Sequence, residues 1–312
     1  MIVFDSVNDL IKQNDTVLTI GTFDGIHPGH IKIIDKLVER SKDNGCRSVV
    51  VTFNPHPRSV LSGDKKVKLL TTLEEKKYLL EKYGVENLLI INFTKEFASN
   101  TAQDFINKYL VEAIGVSEIV IGYDHHFGKG RDGNIDLLKK IGGDACFSVT
   151  AVEAKLVDGE AVSSTKIRKA LESGELQKAN KLLGRNYSFT GIVIEGDKRG
   201  RELGYPTANI KISSEEKLLP AIGIYAVIVL IENEKHFGLL SIGKRPTFYE
   251  AGEVIPEAYI YNFDRDIYNK VITIELVERL RGEEKFNSAD ELIKQMNKDK
   301  ENGLKILNKL NN

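Results

Sequence analysis

The sequence predicts an α/β domain built on a parallel sheet, followed by a small β barrel with a C-terminal helix. Residues 1–183 alternate short β-branched apolar runs with amphipathic helical patterns, which is typical of parallel strands joined by right-handed crossovers. Residues 184–312 carry successive strand-like runs with few helical patterns between them, which indicates a barrel. A chain of 312 residues also exceeds the usual size of one domain. We therefore expect two domains, 1–183 and 184–312.

In the first domain, five strands are predicted to alternate with four helices. The strands are Val17–Ile20, Ser48–Phe53, Leu88–Phe93, Glu118–Gly122 and Phe147–Val152, and the helices are Gly29–Lys42, Leu73–Tyr83, Ala102–Ile114 and Asn134–Ile141. Ligands of such folds bind beyond the carboxyl ends of the strands. The loops expected there hold five of the six histidines, so the functional site of this domain is predicted at that edge.

A helical segment over Thr165–Leu183 is predicted to close the first domain. The second domain then has strand patterns at Tyr187–Glu195, Gly223–Ile231, Lys235–Ser241, Ala258–Asn262 and Val271–Leu280. β-branched and aromatic residues dominate these runs, and glycines punctuate the joins between them. A last helix is expected from Ser288, whose hydroxyl suits an N-cap.

Composition and charge exclude several classes of protein. The 44 basic and 45 acidic residues leave a net charge of −1, without the basic excess that a duplex-binding protein usually shows. Cys46 and Cys146 are too few for a disulfide framework and are expected to be buried reduced thiols. The N-terminus lacks signal-peptide features, and the longest apolar run, Ala221–Ile231, is too short to cross a bilayer. We expect a cytoplasmic protein with no nucleic-acid or membrane partner; the sequence carries no indication of oligomeric state.

The stretch T-I-G-T-F-D-G-I-H-P-G-H, residues 19–30, predicts an anion site where the first strand meets the first helix. Proline suits the first helical turn, and the unpaired amides and dipole of that terminus attract anions. His27 and His30 lie three residues apart and project from the same side, while Gly29 leaves room for a phosphate. Two imidazoles there can donate hydrogen bonds to phosphate oxygens in a transition state. The alternative is a pair of surface histidines that cap a helix, but the whole constellation favours the anion site.

Three competing motifs are weaker. Ile242-Gly-Lys-Arg lacks the glycine spacing and the Ser/Thr of a Walker A loop. Gly128-Lys-Gly-Arg-Asp-Gly133, with Glu153 downstream, matches G-x-G-x-x-G but follows a late strand rather than opening the first βα unit. The adjacent His125 and His126 have no zinc-ligand spacing to support them.

Ser163-Ser-Thr-Lys-Ile-Arg168 is a second candidate anion site at a helix start. Ser164 can cap this helix, and Arg168 lies one turn along, near enough to grip a polyphosphate. The alternative is an ordinary capped helix, and this segment alone does not decide between the two.

Together these segments resemble the bacterial bifunctional riboflavin kinase/FAD synthetase family. Residues 21–30 resemble its H-x-G-H nucleotidylyltransferase signature, and the other matching motifs follow in the family's order: T-F-N-P-H-P from Thr52, G-Y-D-H-H-F-G from Gly122, S-S-T-K-I-R from Ser163, G-R-E-L-G-Y-P-T-A-N from Gly200, G-I-Y-A from Gly223, G-K-R-P-T-F from Gly243, Glu257 and L-R-G-E-E-K-F from Leu280. The resemblance implies a nucleotidylyltransferase-like (Rossmann-like) sheet followed by a riboflavin kinase barrel. It also implies ATP-dependent conversion of riboflavin to FMN and of FMN to FAD.

The resemblance implies that adenylyl transfer, the conversion of FMN to FAD, takes place in the first domain. His27 and His30 are expected to bind the ATP phosphates, and Arg168 with Ser164 the leaving pyrophosphate. The remaining residues expected near the nucleotide are Gly21, Thr22, Phe23, Asp24, Gly29, Asn54, Asp124 and Thr165. No enzyme nucleophile is needed, because the attacking FMN phosphate is already charged, so catalysis rests on positioning and charge stabilisation.

For the kinase step, the resemblance implies that Glu257 is the general base that accepts the proton of the riboflavin hydroxyl. Thr207 and Asn209 match the family's Mg²⁺ and phosphate site, and hard oxygen ligands suit that ion. Further expected nucleotide or flavin contacts are Gly196, Gly200 and Gly204 in a glycine-rich flap, together with Pro206 and Arg281.

Four positions depart from the family pattern: His125 stands where Phe is common, Ser241 where Asn is typical, Tyr249 where Gly is common and Tyr259 where His often follows the base. These departures keep two alternatives open, a flavin- or nucleotide-binding regulator with degraded active sites and an enzyme that retains one activity. Retention of His27, His30, Thr207, Asn209 and Glu257 speaks against the regulator.

Overall fold

A computed structural model describes residues 1–63, 67–196, 205–244 and 254–310. The chain divides into two compact units, Met1–Ser164 and Thr165–Asn312. The division falls just before the helical segment over Thr165–Leu183, which therefore belongs to the second unit. The domain boundary after Leu183 stays a prediction.

The first unit contains a six-stranded parallel sheet in the order β1-β4-β3-β2-β5-β6. Its strands are β1 (Ile2–Phe4), β2 (Thr16–Ile20), β3 (Ser48–Asn54), β4 (Asn87–Asn92), β5 (Val116–Gly122) and β6 (Ser148–Val152), and a small hairpin follows with β7 (Leu156–Val157) and β8 (Glu160–Ala161). The parallel α/β prediction is confirmed. The three-residue β1 was not predicted, since so short a run has no readable period.

Helices fill the crossovers of this sheet. They are α1 (Pro28–Asn44), α2 (Pro57–Leu61), α3 (Leu73–Lys82), α4 (Ala102–Phe105), a π-helix (Ile106–Ile114) and α5 (Ile135–Ala145), with 3₁₀ turns at Val7–Asp9, Phe97–Ser99 and Lys129–Arg131. The helix predicted over Ala102–Ile114 thus continues as a π-helix after one α turn. It ends at Gly115, whose φ of 81° suits glycine.

Successive strand residues point to opposite faces of the sheet and build two cores. Val17, Val50 and Leu88 pack toward α1 and α3 on one face, while Leu18, Val49 and Leu89 pack toward α4 and the π-helix on the other. Central strands β2 and β4 are buried over nearly their whole length, which is typical of a sheet covered by helices on both sides. This rigid sheet fixes the positions of the loops that leave its carboxyl edge.

Two helices rather than one follow the hairpin. They are α6 (Ser164–Glu172) and α7 (Leu176–Leu183), so the segment predicted to be helical over Thr165–Leu183 is helical apart from a break at residues 173–175. The chain turns at Gly174, whose φ is 77°, a conformation that ends a helix at low cost only for glycine.

The second unit is a closed antiparallel barrel in the order β10-β13-β12-β11-β14-β9. Its strands are β9 (Tyr187–Ile194), β10 (Thr207–Ile212), β11 (Gly223–Ile231), β12 (Glu234–Lys244), β13 (Val254–Ile260) and β14 (Val271–Arg281), and α8 (Ala289–Asn308) follows. The barrel and the last helix are confirmed, and the Ser288 hydroxyl accepts from Glu291 N at 3.2 Å as the predicted N-cap. Strand β10 was not predicted, because its first residues, Thr-Ala-Asn, lack apolar alternation.

Two further expectations meet the structure here. Both cysteines have free thiols, but Cys46 is half-buried and Cys146 is exposed, so the prediction that both are buried is wrong. Cys146 terminates α5 with a φ of 59° and therefore lies outside the packed face of that helix. Across the described ranges, no helix has both the length and the apolar character needed to pass through a bilayer.

Candidate active sites

The first candidate site lies at the carboxyl edge of the parallel sheet, where the strand order reverses. Strands β3 and β4 continue from β2 to one side, while β5 and β6 lie on its other side. In open α/β sheets the loops that follow the strands on either side of such a reversal diverge, and ligands bind in the crevice between them, so the loops after β2 and β5 are the expected ligand site. The H-x-G-H segment follows β2, and Tyr123-Asp124-His125 follow β5.

The two histidines of the motif stack against each other at the start of α1. His27 is the N-cap residue and is 6% exposed, Pro28 is the first helical residue, and His30 lies in the first turn. The imidazole centroids of His27 and His30 are 3.7 Å apart with an interplanar angle of 18°, which confirms that the two project together. A Cβ on Gly29 would lie 3.2 Å from the His27 ring, so glycine lets the helix start pack closely on that ring.

Strained backbone shapes the loop before the histidines. Phe23 has a φ of 47° and Ile26 a φ of 38°, values that residues with a Cβ rarely adopt. The Phe23 ring is buried and meets the His30 ring edge-on, with centroids 5.3 Å apart. Gly21 follows β2 directly and donates its N–H to Val51 O at 3.0 Å. Such strain persists where the surroundings fix the backbone, and it concentrates at functional sites.

Asp24 ties this loop to the start of α3. Its carboxylate is buried and accepts hydrogen bonds from the backbone N–H groups of Leu70 at 2.9 Å and Thr71 at 3.1 Å. Its carbonyl oxygen accepts the Ser164 hydroxyl hydrogen at 2.8 Å. Asp24 was predicted near the nucleotide; the contacts seen here hold the loop in shape.

A buried lysine beneath the same loop was missed by sequence reasoning. Lys76 is 7% exposed, and its Nζ donates to Thr52 Oγ1 at 3.2 Å. Burial lowers the pKa of Lys76 to about 8, although the Asp24 carboxylate acts to raise it. The available signal was its position, since Leu73, Lys76 and Leu80 have the i, i+3, i+7 spacing of a core-facing helix stripe.

Aromatic rings cluster along the same sheet edge. Phe53 near the end of β3 and Phe93 just after β4 have centroids 5.5 Å apart, and Phe97 lies 5.5 Å from Phe93. Phe105 and Phe127 extend this series toward β5. Phe53, Phe93 and Phe97 remain partly exposed. The sequence pattern did not reveal this group, because its members come from four separate segments.

His125 joins this aromatic cluster as a neutral ring. Its ring stacks on Phe127 with centroids 5.8 Å apart and an interplanar angle of 26°. Burial lowers the pKa of His125 to about 4, so the imidazole carries no charge at neutral pH. Its Nε2 atom is buried without a hydrogen-bond partner among the described residues. At this departure from the family pattern, histidine thus packs as an uncharged aromatic ring.

Other residues predicted for the first site lie in several places. Thr22 accepts the Thr52 hydroxyl through its carbonyl oxygen at 3.4 Å. Asn54 ends β3 with an exposed side chain, and Asp124 is exposed after β5. Thr165 is exposed and Arg168 half-buried on α6, both in the second unit, so their predicted contacts with the nucleotide stay predictions.

The second candidate site lies on the outer face of the barrel. Antiparallel pairing puts Asn209 of β10 opposite Glu257 of β13, and Thr207 opposite Tyr259. Ser241 of β12 is opposite Glu257 on its other side. Ala258 and Ile260 point into the barrel core and are buried, so Glu257 and Tyr259 face outward. Register thus brings together residues that lie about fifty positions apart in the sequence.

Hydrogen bonding orients the carboxylate of this site. Thr207 Oγ1 donates to Glu257 Oε2 at 3.3 Å, so the threonine lone pairs remain to accept or to ligate. Asn209 is 6% exposed, and a Cβ on Gly196 would lie 2.0 Å from its Nδ2, so a larger residue at position 196 would displace that amide. Glu257 was expected just before a strand but lies within β13, because that strand extends to Val254 on the N-terminal side.

Arg281 makes a different contact from the one predicted. Its Nη2 atom lies 2.8 Å from Asp299 Oδ2, and its Nε atom lies 3.0 Å from the same oxygen. Asp299 is 4% exposed on α8 and also accepts from Gln295 Nε2 at 2.9 Å. The pair joins β14 to α8, and a role of Arg281 in ligand binding stays a prediction.

Pro206 is exposed just before β10, and its predicted contact with ligand also stays a prediction. Tyr259, another departure, lies 5.2 Å from the Tyr205 ring between centroids. Gly200, Gly204 and Tyr249 lie outside the described residues.

Comparison with known proteins gives two family matches in chain order. A family model described as FAD synthetase matches residues 10–166, and one described as riboflavin kinase matches residues 183–307. The first match contains the H-x-G-H crevice, and the second contains the barrel with Thr207, Asn209 and Glu257.

Curated relatives resemble the chain over most of its length. A bifunctional riboflavin kinase/FMN adenylyltransferase of Listeria monocytogenes is 41% identical over 91% of this chain and 90% of its own. Proteins of the same name from Bacillus subtilis and Escherichia coli K12 are 37% and 36% identical over 96% and 92% of this chain, and over 95% and 91% of their own. A crystal structure described as a macrolide-efflux protein from Streptococcus pneumoniae has a TM-score of 0.87 at 33% identity, covering 96% of this chain and 97% of that one.

Proposed function

Since this chain belongs to the bifunctional riboflavin kinase/FMN adenylyltransferase family, we propose which of its residues carry each reaction. The enzyme phosphorylates riboflavin with ATP to give FMN, and it transfers AMP from ATP to FMN to give FAD and pyrophosphate. The observation that carries the assignment of residues is the presence of two chemically distinct clusters, one in each unit.

Adenylyl transfer is proposed at the crevice after β2. The FMN phosphate oxygen forms a bond to the α-phosphorus of ATP while the bond to the β,γ-diphosphate breaks, so pyrophosphate leaves with the electron pair. His27 and His30 bind the phosphates and stabilise the charge that develops on their oxygens. Their stacked rings and the helix terminus beneath them support this role. No proton has to be removed from the nucleophile, which fits a site without a general base.

The flavin ring of FMN is proposed to lie against the aromatic cluster at the same sheet edge. Phe53, Phe93 and Phe97 are partly exposed aromatic residues, and offset stacking of aromatic rings is favourable. His125 extends this surface as a neutral ring. Replacement of the usual phenylalanine is therefore compatible with flavin binding, since an uncharged imidazole does not oppose stacking.

The remaining first-site residues are proposed to surround the nucleotide. Arg168 pairs with the pyrophosphate, because a guanidinium can bind phosphate oxygens in a bidentate way. Ser164 and Thr165 begin the same helix, where amides attract anions. Gly21, Thr22, Phe23, Asp24 and Gly29 shape the loop, and Asn54 and Asp124 present polar groups at the ends of β3 and β5.

Riboflavin phosphorylation is proposed at the outer face of the barrel. Glu257 accepts the proton of the ribityl hydroxyl. The hydroxyl oxygen bonds to the γ-phosphorus of ATP, and the bond from that phosphorus to ADP breaks. The hydrogen bond from Thr207 holds the carboxylate in one orientation. Asn209 is opposite Glu257 across the strand pair and is proposed to contact the phosphates. Gly196, Pro206 and Arg281 are proposed as further contacts of nucleotide or flavin, as are Gly200 and Gly204, which lie outside the described residues.

Mg²⁺ is proposed as the metal of the kinase site. The Thr207 hydroxyl and the Asn209 amide offer neutral oxygen donors beside a carboxylate, which fits an ion that keeps waters and phosphate oxygens in its shell. Thr207 and Asn209 would hold the ion, and when bound it would neutralise charge on the phosphates. Because ATP is a substrate of both reactions, we propose that the enzyme works in the cytoplasm.

The test is a turnover assay with riboflavin, ATP and Mg²⁺, in which riboflavin, FMN and FAD are separated by chromatography. Sequential appearance of FMN and FAD is expected. If FMN accumulates and no FAD forms, the protein has only the kinase activity. If added FMN becomes FAD while riboflavin stays unchanged, it has only the adenylyltransferase activity. Tight flavin binding by folded protein without any turnover would instead favour a regulator and would refute the proposed roles.

A further inference from the structure

The feature that carries a further inference is the buried ammonium group beneath the loop Gly21–His27. Lysine is almost never fully buried unless it is paired, yet Lys76 is 7% exposed within the core-facing side of α3. Its Nζ lies 3.2 Å from Thr52 Oγ1. A residue that only packed the helix against the core would be apolar at this position. The buried charge of Lys76 therefore needs an interaction that compensates for the loss of water.

The hydrogen bonds of Lys76 have a fixed direction. An ammonium group is a donor only, so Thr52 Oγ1 must accept from it, and the single hydroxyl hydrogen of Thr52 is directed to the Thr22 carbonyl oxygen at 3.4 Å. Successive hydrogen bonds polarise one another in a low-dielectric interior. The charged lysine thus holds the carbonyl of Thr22, two residues past the end of β2, through one hydroxyl.

A second connection runs from α3 to the same loop. The Asp24 carboxylate accepts backbone hydrogen bonds from Leu70 and Thr71, which precede α3, and Gly25 N donates to Thr71 Oγ1 at 3.0 Å. Asp24 is also the charged group that acts on Lys76. The start of α3 therefore fixes the loop at Thr22, Asp24 and Gly25, immediately before the two histidines.

We propose that Lys76 is a positioning residue for adenylyl transfer, which acts through Thr52 to hold the Thr22–Gly25 backbone in the shape that sets His27 and His30. This inference rests on the proposed role of that crevice. Lys76 touches no substrate in this proposal. Its effect is on turnover, because a catalytic group displaced by about 1 Å can cost on the order of 100-fold in rate.

The decisive variant is Lys76→Met, which keeps the length of the side chain and removes the charge. With added FMN and ATP, kcat for FAD formation is expected to fall about 10- to 100-fold. The matched control is Lys77→Met, one residue along, where the ammonium makes a surface pair with Glu74 at 2.9 Å; it should leave FAD formation unchanged. Riboflavin phosphorylation by the same chain is the internal reference and should not change in either variant.

Two further measurements separate positioning from loss of stability. Thr52→Val should lower kcat in the same direction, and the Lys76→Met/Thr52→Val double variant should lose little more than either single variant, because both break one connection. Lys76→Arg, which keeps the positive charge, should have a higher kcat for FAD formation than Lys76→Met. Wild-type FAD formation is expected to decline above pH 8, where Lys76 loses its charge, and Lys76→Arg should make that decline less steep. Thermal melting of every variant reports whether the first unit remains folded.

The outcomes are distinguishable from those of the proposed function itself. If wild-type protein forms no FAD from FMN, the proposed function fails before any variant is considered. If wild-type protein forms FAD while folded Lys76→Met keeps its kcat, or if the losses of the single variants add fully, the positioning role is wrong. A lowered melting temperature with unchanged kcat below that temperature would likewise reduce Lys76 to a structural residue and overturn the inference.

Discussion

The two sites of this enzyme are built in different ways. The proposed adenylyl transfer site takes its two histidines from one contiguous loop and helix start, and positive φ values at Phe23 and Ile26 shape that loop. The proposed kinase site takes Thr207, Asn209 and Glu257 from two strands, which antiparallel register brings together. The first arrangement depends on local backbone geometry, and the second depends on the whole barrel being closed in the correct register.

This difference matches the chemistry required at each site. Charge stabilisation on phosphates uses backbone amides, a helix dipole and imidazoles, all of which a helix start supplies at close range. Proton abstraction from a neutral alcohol needs one carboxylate held in a fixed orientation, and strand register with the Thr207 hydrogen bond supplies that. Removal of Glu257 should therefore impair only riboflavin phosphorylation, and removal of a histidine of the pair should impair only adenylyl transfer.

The largest effect is expected for Glu257→Gln, which removes the proposed base and keeps the side-chain shape. FMN formation from riboflavin should fall by roughly 10²- to 10⁴-fold, the usual contribution of general-base catalysis. Chromatographic assay of flavins measures this loss, and conversion of added FMN to FAD should stay at the wild-type rate. Loss of both activities in a folded variant would show that the two sites are not independent.

The complementary change is His30→Ala, which removes one imidazole of the stacked pair. FAD formation from FMN should fall by about 10²- to 10³-fold, as when one donor to a developing oxyanion is removed, while FMN formation continues. His236→Ala, a histidine of the barrel paired with Glu234, is the control and should leave both rates unchanged. An equal loss in this control would argue against a specific role for His30.

A smaller and purely structural effect is expected at the connection between β14 and α8. Asp299→Asn leaves the largely buried Arg281 guanidinium without its counter-charge, and breaking such a pair costs about 3 kcal/mol. Denaturant unfolding of the barrel measures this loss. Lys270→Met, which removes an exposed pair with Glu232, should change stability by less than about 1 kcal/mol. Equal losses in the two variants would contradict the structural importance of the Arg281–Asp299 pair.

The smallest effect concerns the pH dependence of the first unit. Burial acts to raise the pKa of Glu118, but hydrogen bonds from Arg40 at 2.9 Å and Thr150 at 2.6 Å outweigh it and lower the pKa below 4.5. The carboxylate therefore contributes stability above the unfolded-state pKa, and that stability is lost as pH falls through the folded-state value. Urea midpoints at pH 7 and pH 3.5 should differ more for wild type than for Glu118→Gln. Equal pH sensitivity would exclude this contribution.

Much of the fold could be predicted because local patterns decided it. Five of the six strands of the first sheet and the helix that starts at Pro28 follow from β-branched runs, turn residues and capping rules. The break at Gly174 could not be predicted, since the apolar spacing is compatible with helix on both sides of it. Strand β10 was missed because its first residues, Thr-Ala-Asn, show no apolar alternation.

The two sites also differed in how far the local sequence could predict them. The histidine pair could be predicted from spacing and the glycine–proline context alone. Glu257 could be assigned only through the family resemblance, because register across β10, β12 and β13 is a tertiary property. Lys76 and the aromatic cluster were missed. The burial of a lysine and the proximity of aromatic residues from separate segments depend on the tertiary fold and cannot be read from residue type.

The topology of the sheets has a further consequence for how copies of the chain can associate. In the closed barrel, every strand has two hydrogen-bonded neighbours along its described residues, so no ladder there is open for strand addition. In the parallel sheet, β1 and β6 each pair with a single strand among the residues that the structure describes, so each has one edge without a neighbouring strand there. If damaged or partly unfolded molecules aggregate by edge-to-edge pairing, that process should begin in the FAD-forming half, with β6 as the longer available template.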